Sequence, residues 1–393
     1  MLKSHEMRFL DSFLWGAATA AHQIEGNNVR NDWWRAEEAG LVPHRSGEAC
    51  DSWNRWADDI RLLQEMGLNA YRFSVEWARI EPEAGHFDQT ALDTYRRMVE
   101  GMQAAGIEPL VTLHHFTNPA WLADQAGWAN AEVVARFGGY ADRVARRLGD
   151  LVRWWVTINE PSILGLLGYL EGTWPPGRPG DLRGYLRLMR HTARAHVAGR
   201  QALRASRPDA LAGIAFALWP MQPLRRWSPI DQVMARVGDW AWQGRVLNRT
   251  LPTLDWIGVN YYSRNVVGWP WPRRAPTGAT TDFGWEIYPT GLYDVLRRVG
   301  RYGKAVMITE NGIADADDDQ RPEYLVAHLR QAHRASADGV DLRGYMHWSL
   351  LDNFEWAEGF TQRFGLATRD RVLRPSARLY ATIARANALA ASS

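Results

Sequence analysis

The chain has little cysteine, no long apolar run and almost no net charge, and each shortage removes a class of function. One cysteine in 393 residues, Cys50, excludes an intrachain disulfide and any cysteine-based zinc site. No stretch reaches the 18 consecutive apolar residues of a membrane-spanning helix. The opening MLKSHEMRFLDS has no apolar core of signal-peptide length, which sets the expectation of a cytoplasmic, reducing compartment. A formal charge of +2, with a pI near 8.7 from scattered arginine, gives no field for a polyanion. We therefore expect no nucleic-acid or membrane partner, and oligomeric state is left open. The acidic run Asp315 to Asp319 lacks the glycine and glutamate spacing of a calcium loop, so it is expected to be a solvated turn, and no metal or other cofactor is expected.

What the chain has in excess is tryptophan, 21 residues at an ordinary hydrophobic content of 46%. Most are expected in packing, but an indole also offers a flat apolar face suited to the C–H face of a sugar ring. Trp33-Trp34 and the Trp269-Pro270-Trp271 segment are placed in loops, where packing explains them less well.

Length alone allows two domains, but strand and helix patterns alternate without any change of composition. Apolar strand-like runs lie at 13–26, 68–77, 107–116, 154–161, 211–220, 254–262, 305–311 and 341–356. Helical periodicity separates them, at about 51–67 (ending on Gly67), 88–105, 131–148, 181–206, 231–247, 290–301, 321–337 and 376–389. The stretch 263–289, rich in Gly, Pro and Trp, is expected to be an ordered loop. Eight such pairs predict one α/β domain over residues 1–393, a single (β/α)8 TIM barrel with its active site at the C-terminal ends of the strands.

Two of those strands end on a glutamate. WWVTINEP delivers Glu160 into a proline break, and AVMITENG delivers Glu310 into an Asn-Gly turn. The two are 150 residues apart, close to three units of about 49 residues each, so they should end the fourth and seventh strands on the same face of a barrel. A glutamate at a loop is ordinarily a solvated charge. These two follow apolar strands and sit among amides and aromatics, where an unpaired carboxylate is costly. A carboxyl pair ~5–5.5 Å apart suits retaining glycoside hydrolysis, and ~6.5–9.5 Å suits inversion; the sequence leaves both open. By alternation Arg72, Ser74 and Glu76 share a face, with Glu76 expected to be an ion-pair partner. His22 and His114 are expected to be structural.

The motifs FLWGAATAAHQIEG, YRFSVEWARIEPEAG, TLHHFTNPAWL, TINEP, IGVNYYS, ITENG, HWSLLDNFEWAEGF and RPSARLY, in this order over about 13–380, resemble the retaining β-glycosidases of glycoside hydrolase family 1. The resemblance implies the same barrel and an exo-acting retaining hydrolase of β-D-glucosides, with galactosides or fucosides, acting on a small glycoside or oligosaccharide without a cofactor. It implies Glu310 as nucleophile and Glu160 as acid/base. Gln23, His115, Asn159, Glu355 and Trp356 match positions that hold the sugar's hydroxyls, Trp348 the stacking platform, and Arg72 and Tyr262 the residues that orient the nucleophile. The chain departs from the pattern in trimmed connections after the fifth and sixth strands, in Phe116 where many members have Trp, and in TNP after it. A 6-phospho-β-glycosidase is a less favoured alternative, since Gln362-Arg363-Phe364 lacks the expected lysine. A non-catalytic sugar-binding relative is disfavoured by the presence of both glutamates.

Overall fold

A computed structural model describes residues 6–270 and 277–390. Eight parallel strands close into a barrel: β1 (Leu14–Ala18), β2 (Ala70–Ser74), β3 (Glu108–His114), β4 (Trp154–Asn159), β5 (Leu211–Ala217), β6 (Trp256–Asn260), β7 (Ala305–Asn311) and β8 (Leu342–Trp348). They follow one another around the barrel in chain order, with β8 returning to β1. Glu160 lies one residue beyond β4 and Glu310 near the end of β7, as the spacing predicts.

Local sequence explains the helices between them. Ser52–Met66 ends on Gly67 at φ 69°, a left-handed turn that glycine adopts freely. Gln89–Ala104 begins on Asp88, whose carboxylate accepts from the Thr90 and Ala91 amides. Val133–Leu148 buries Val133, Phe137, Tyr140, Ala141, Val144 and Leu148, the three-and-four spacing of a helix lying on a sheet. Inside the barrel, Trp256, Met307 and Met346 alternate with Ala18, Ala70 and Ala215, filling the lumen as a packed core. Gly213 lies against Trp256, where a Cβ would stand 2.6 Å from the indole. Among the described residues, no helix is long and apolar enough to cross a membrane.

Several expectations need correction. The helix placed at 231–247 is three pieces, Pro229–Asp239, a wider turn Trp240–Gly244, and Arg245–Thr250. The 263–289 stretch contains a short strand, Asn265–Val267, paired with Met221–Pro223. Trp33-Trp34 belongs to a helix, Asp32–Glu38, and Trp33 is fully buried against Trp174 and Trp356. Trp269 is exposed, and Trp271 lies outside the described residues.

Nor is the Asp315 to Asp319 turn simply solvated. Asp317 and Asp319 are exposed, but Asp315 and Asp318 are buried. Asp318 pairs with the buried Arg321 and accepts from the backbone and hydroxyl of Ser376, tying the turn to the last helix, Pro375–Ala386. Glu76 also departs from expectation. β2 ends before it, and its carboxyl caps the next helical turn and accepts from Thr117 rather than forming an ion pair. Burial pushes its pKa up to about 7.

Candidate active site

The ends of β2, β4, β6 and β7 bring together a continuous group of charged and amide side chains. Arg72 of β2 is wholly buried and reaches in two directions. Its Nη1 donates to Glu310 Oε1 at 2.5 Å and to the Thr309 carbonyl at 3.0 Å, and its Nη2 donates to Asn159 Oδ1 at 2.7 Å. Tyr262, just past β6, donates its phenol to the other Glu310 oxygen at 2.8 Å. Glu160 has a different environment. Its protein hydrogen-bond donor is a neutral amide, Asn260 Nδ2, at 2.7 Å.

The strands deliver these groups through local irregularities. β7 slips register against β6 between Ile308 and Glu310, and β4 slips against β5 between Val156 and Asn159. Such slips re-aim the side chains at a strand end. Glu160 itself sits at φ 42°, ψ 58°, an uncommon left-handed conformation for a residue with a side chain. Its amide is held by the Ala215 carbonyl at 2.8 Å, so the surrounding strands impose the turn.

Electrostatics separates the two carboxyls. Burial raises both, because a charge is poorly solvated there. For Glu310, Arg72 and the Tyr262 phenol draw the carboxyl back toward ionisation. Glu160 is pushed up to about 8, by burial first and by the charge of Glu310 second, with only Asn260 and the more distant Arg72 opposing. When one proton is shared between them, it therefore resides on Glu160.

The remaining predicted residues line the same mouth. Asn159 accepts from Arg72 and from Asn260, which fixes its amide so that its N–H group faces His115 Nε2 at 3.1 Å. His115 Nε2 must then accept, its proton sits on Nδ1, and that buried N–H has no partner among the described residues. Burial and the neighbouring Arg72 hold His115 well below the usual histidine range, so it is neutral. The Gln23 amide donates toward Asn353, Phe354 and Glu355, at 3.0, 2.9 and 3.2 Å, which leaves its buried Oε1 free to accept. The Trp348 and Trp356 rings lie nearly parallel to His115, at 5.9 and 6.1 Å between centroids. Glu355 is raised to about 8, by burial and by Glu310.

Comparison with known proteins gives the family. The description "Glycosyl hydrolase family 1" matches residues 5–251 and 243–389. The chain belongs to glycosyl hydrolase family 1. It is 33% identical to β-glucosidase A of Thermotoga maritima over 447 aligned positions, covering 97% of this chain and 99% of the relative. It is equally identical to a β-galactosidase of Sulfolobus acidocaldarius, over 89% of this chain and 87% of that one. Among solved structures, a β-glycosidase from Pyrococcus horikoshii superposes with a TM-score of 0.93 at 36% identity, covering 98% of this chain and 96% of that one. The β-glucosidase of Thermotoga maritima in complex with glucoimidazole superposes at 0.92 with 32% identity, covering 98% and 100%.

This family 1 glycosidase has residues at its site that sequence reasoning passed over. Asn260 lies between the two carboxyls, donating to Glu160 and paired in register with Glu310. Its carbonyl accepts from the Thr309 hydroxyl at 2.6 Å, so donor and acceptor ends of the amide are both assigned by their neighbours. Both residues stand inside motifs already singled out, IGVNYYS and ITENG, but only the pairing of β6 with β7 makes them adjacent. Trp33 and Trp174 form the aromatic wall behind Trp356, at 4.7 and 5.5 Å, and Phe116 joins it at 5.2 Å. Phe116 thus fills the wall edge-on against Trp356.

Proposed function

We propose that the protein is a retaining, exo-acting β-glycosidase that removes terminal non-reducing β-D-glucosyl residues, and β-D-galactosyl or β-D-fucosyl residues, by double displacement. The observation that carries this reading is the unequal treatment of two neighbouring buried carboxyls. Glu310 is gripped by a guanidinium and a phenol, while Glu160 is held by an amide and kept protonated near neutrality.

Glu310 attacks the anomeric carbon as Glu160 gives its proton to the departing glycosidic oxygen. The glycosyl ester on Glu310 is neutral, which removes the charge that raised Glu160. Glu160 then accepts a proton from water as that water attacks the anomeric carbon, breaking its bond to Glu310 and freeing the Glu310 carboxylate. Asn159 is placed to meet the sugar's 2-hydroxyl, an interaction that strengthens as positive charge develops on the ring. Gln23 Oε1, His115 Nδ1 and Glu355 recognise the outer hydroxyls, Trp356 borders them, and Trp348 carries the apolar face of the ring. The burial of Gln23, His115 and Trp356 supports a pocket for one terminal sugar. A buried acidic side chain at Glu355 offers a 6-phosphate no cation to pair with, which favours neutral sugars. We assign residues 1–393 to one catalytic domain and, from the lone buried Cys50, a cytoplasmic location.

The direct test is a panel of p-nitrophenyl glycosides. Release is expected from the β-glucoside and at least one of the β-galactoside and β-fucoside, with none from α-anomers or 6-phospho-β-glucoside. Folded protein inert on every β-glycoside would return the chain to a binding role.

A second expectation concerns Thr309. Without its hydroxyl the Asn260 carbonyl loses its donor, the amide is held only through its N–H contacts to Asn159 and Glu160, and its hydrogen bond to ionised Glu160 weakens. The groups facing Glu160 (Glu310, Arg72, Glu355 and Tyr262) remain in place, so the proton is held to higher pH. A hydrogen bond to a charged group is worth ~1.5–3 kcal/mol, and one pH unit is about 1.4 kcal/mol. Thr309→Val is therefore expected to move the alkaline limb of kcat/KM upward by about one unit, with Thr309→Ser restoring it. An unmoved limb in Thr309→Val would detach Asn260 from control of Glu160.

A further inference from the structure

Large apolar side chains are mostly buried, so those left exposed are informative when they cluster. Among the described residues eleven stand exposed, and six of them share one place: Trp227, Ile230, Val233, Val237, Trp240 and Trp269. Ile230, Val233, Val237 and Trp240 recur at intervals of three, four and three along the helix Pro229–Asp239 and its continuation, forming one stripe. The opposite side of the helix is occupied, with Asp231 and Ala235 buried on the side that packs against the strand pair Met221–Pro223 and Asn265–Val267. Trp227, 89% exposed, extends the stripe at the helix start. Trp269 is tied to the first turn by its amide, which donates to Asp231 Oδ1 at 3.0 Å.

The two stretches of the family match meet at residues 243–251, directly after the helix. The alignment to the Thermotoga maritima enzyme runs over 447 positions, more than the 393 residues present here, so that relative carries residues this chain lacks.

We propose that this stripe is the contact by which two copies of the chain pair about a two-fold axis. Its spacing reads the same in both directions, so an antiparallel copy sets Ile230 against Trp240 and Val233 against Val237, a self-complementary interface. Its size fits as well. Three tryptophans at ~150–250 Å² each, all more than half exposed, together with three branched aliphatics, approach the ~800 Å² per partner of a standard interface.

The test is sedimentation velocity with the full chain across a hundredfold concentration range. The wild type is expected to run at twice the mass of one chain. Val233→Glu and Val237→Lys are each expected to run as single chains with unchanged kcat/KM on a soluble aryl β-glucoside, which shows that they fold. Because position 233 of one copy meets 237 of the other, an equimolar mixture of the two variants is expected to recover the paired species. A wild type that stays single throughout, pairing unaffected by either charge, or failure of the mixture to pair would overturn the proposal. So would a single-chain wild type that co-sediments with anionic phospholipid vesicles, since the stripe would then serve lipid.

Discussion

Glu310→Ala is expected to lower kcat/KM on p-nitrophenyl β-glucoside by on the order of 10⁵-fold, the scale at which loss of a nucleophile leaves only binding and the remaining acid. The protein should stay folded, because the change removes a buried carboxylate while Arg72 keeps Asn159 and the Thr309 carbonyl as partners. Sodium azide is expected to restore turnover of an activated aryl glycoside. A small anion can occupy the space of the missing carboxylate, with Arg72 and the Tyr262 phenol to receive it, and attack the sugar from the side that Glu310 used. The product is then the α-glycosyl azide, inverted relative to the substrate. Rescue giving only the β-azide would remove Glu310 from the nucleophile's role, whatever the loss in rate.

Glu160→Ala is expected to divide substrates by leaving group. Alkyl β-glucosides, whose alcohols depart poorly as anions, should lose ~10²–10⁴-fold in kcat/KM, the range of general acid catalysis. A dinitrophenyl glucoside needs no proton on departure and should retain glycosylation at near the wild-type rate. Its second step should slow, because no base remains to activate water, so a burst of phenol is expected before steady turnover. Azide should here give the β-glycosyl azide, the opposite anomer to that from Glu310→Ala. The alkaline limb near the Glu160 pKa of about 8 should vanish with the carboxyl, since activity is lost above that pH only where the acid must hold its proton. Equal losses across all leaving groups would sink the assignment of Glu160 as the acid.

These expectations rest on a site that was legible in the chain to different depths. The strand runs around Glu160 and Glu310 were readable because alternation, apolar runs and helix caps are local properties. Their spacing placed them on the fourth and seventh strands. The motif resemblance extended this to Arg72, Tyr262 and the residues expected to face the sugar, all of which the barrel gathers at one mouth. Where local patterns depend on distant neighbours, reading failed. Asp315 and Asp318 look solvated until Arg321 and the helix Pro375–Ala386 cover them. Trp33 looks like a loop indole until Trp174 and Trp356 enclose it. Glu76 looks paired until β2 ends before it.

By itself, then, the sequence determined the order of elements, the strand ends on which the carboxyls stand and the family to which they point, since each follows from periodicity and contiguous residues. Only the tertiary structure decided which carboxyl keeps the proton. That depends on Arg72 lying against Glu310 and Asn260 against Glu160, contacts between residues 238 and 100 positions apart that exist only once the barrel closes. The same closure sets the burial that makes those contacts count, because charge and hydrogen bonding act strongly only where water has been excluded.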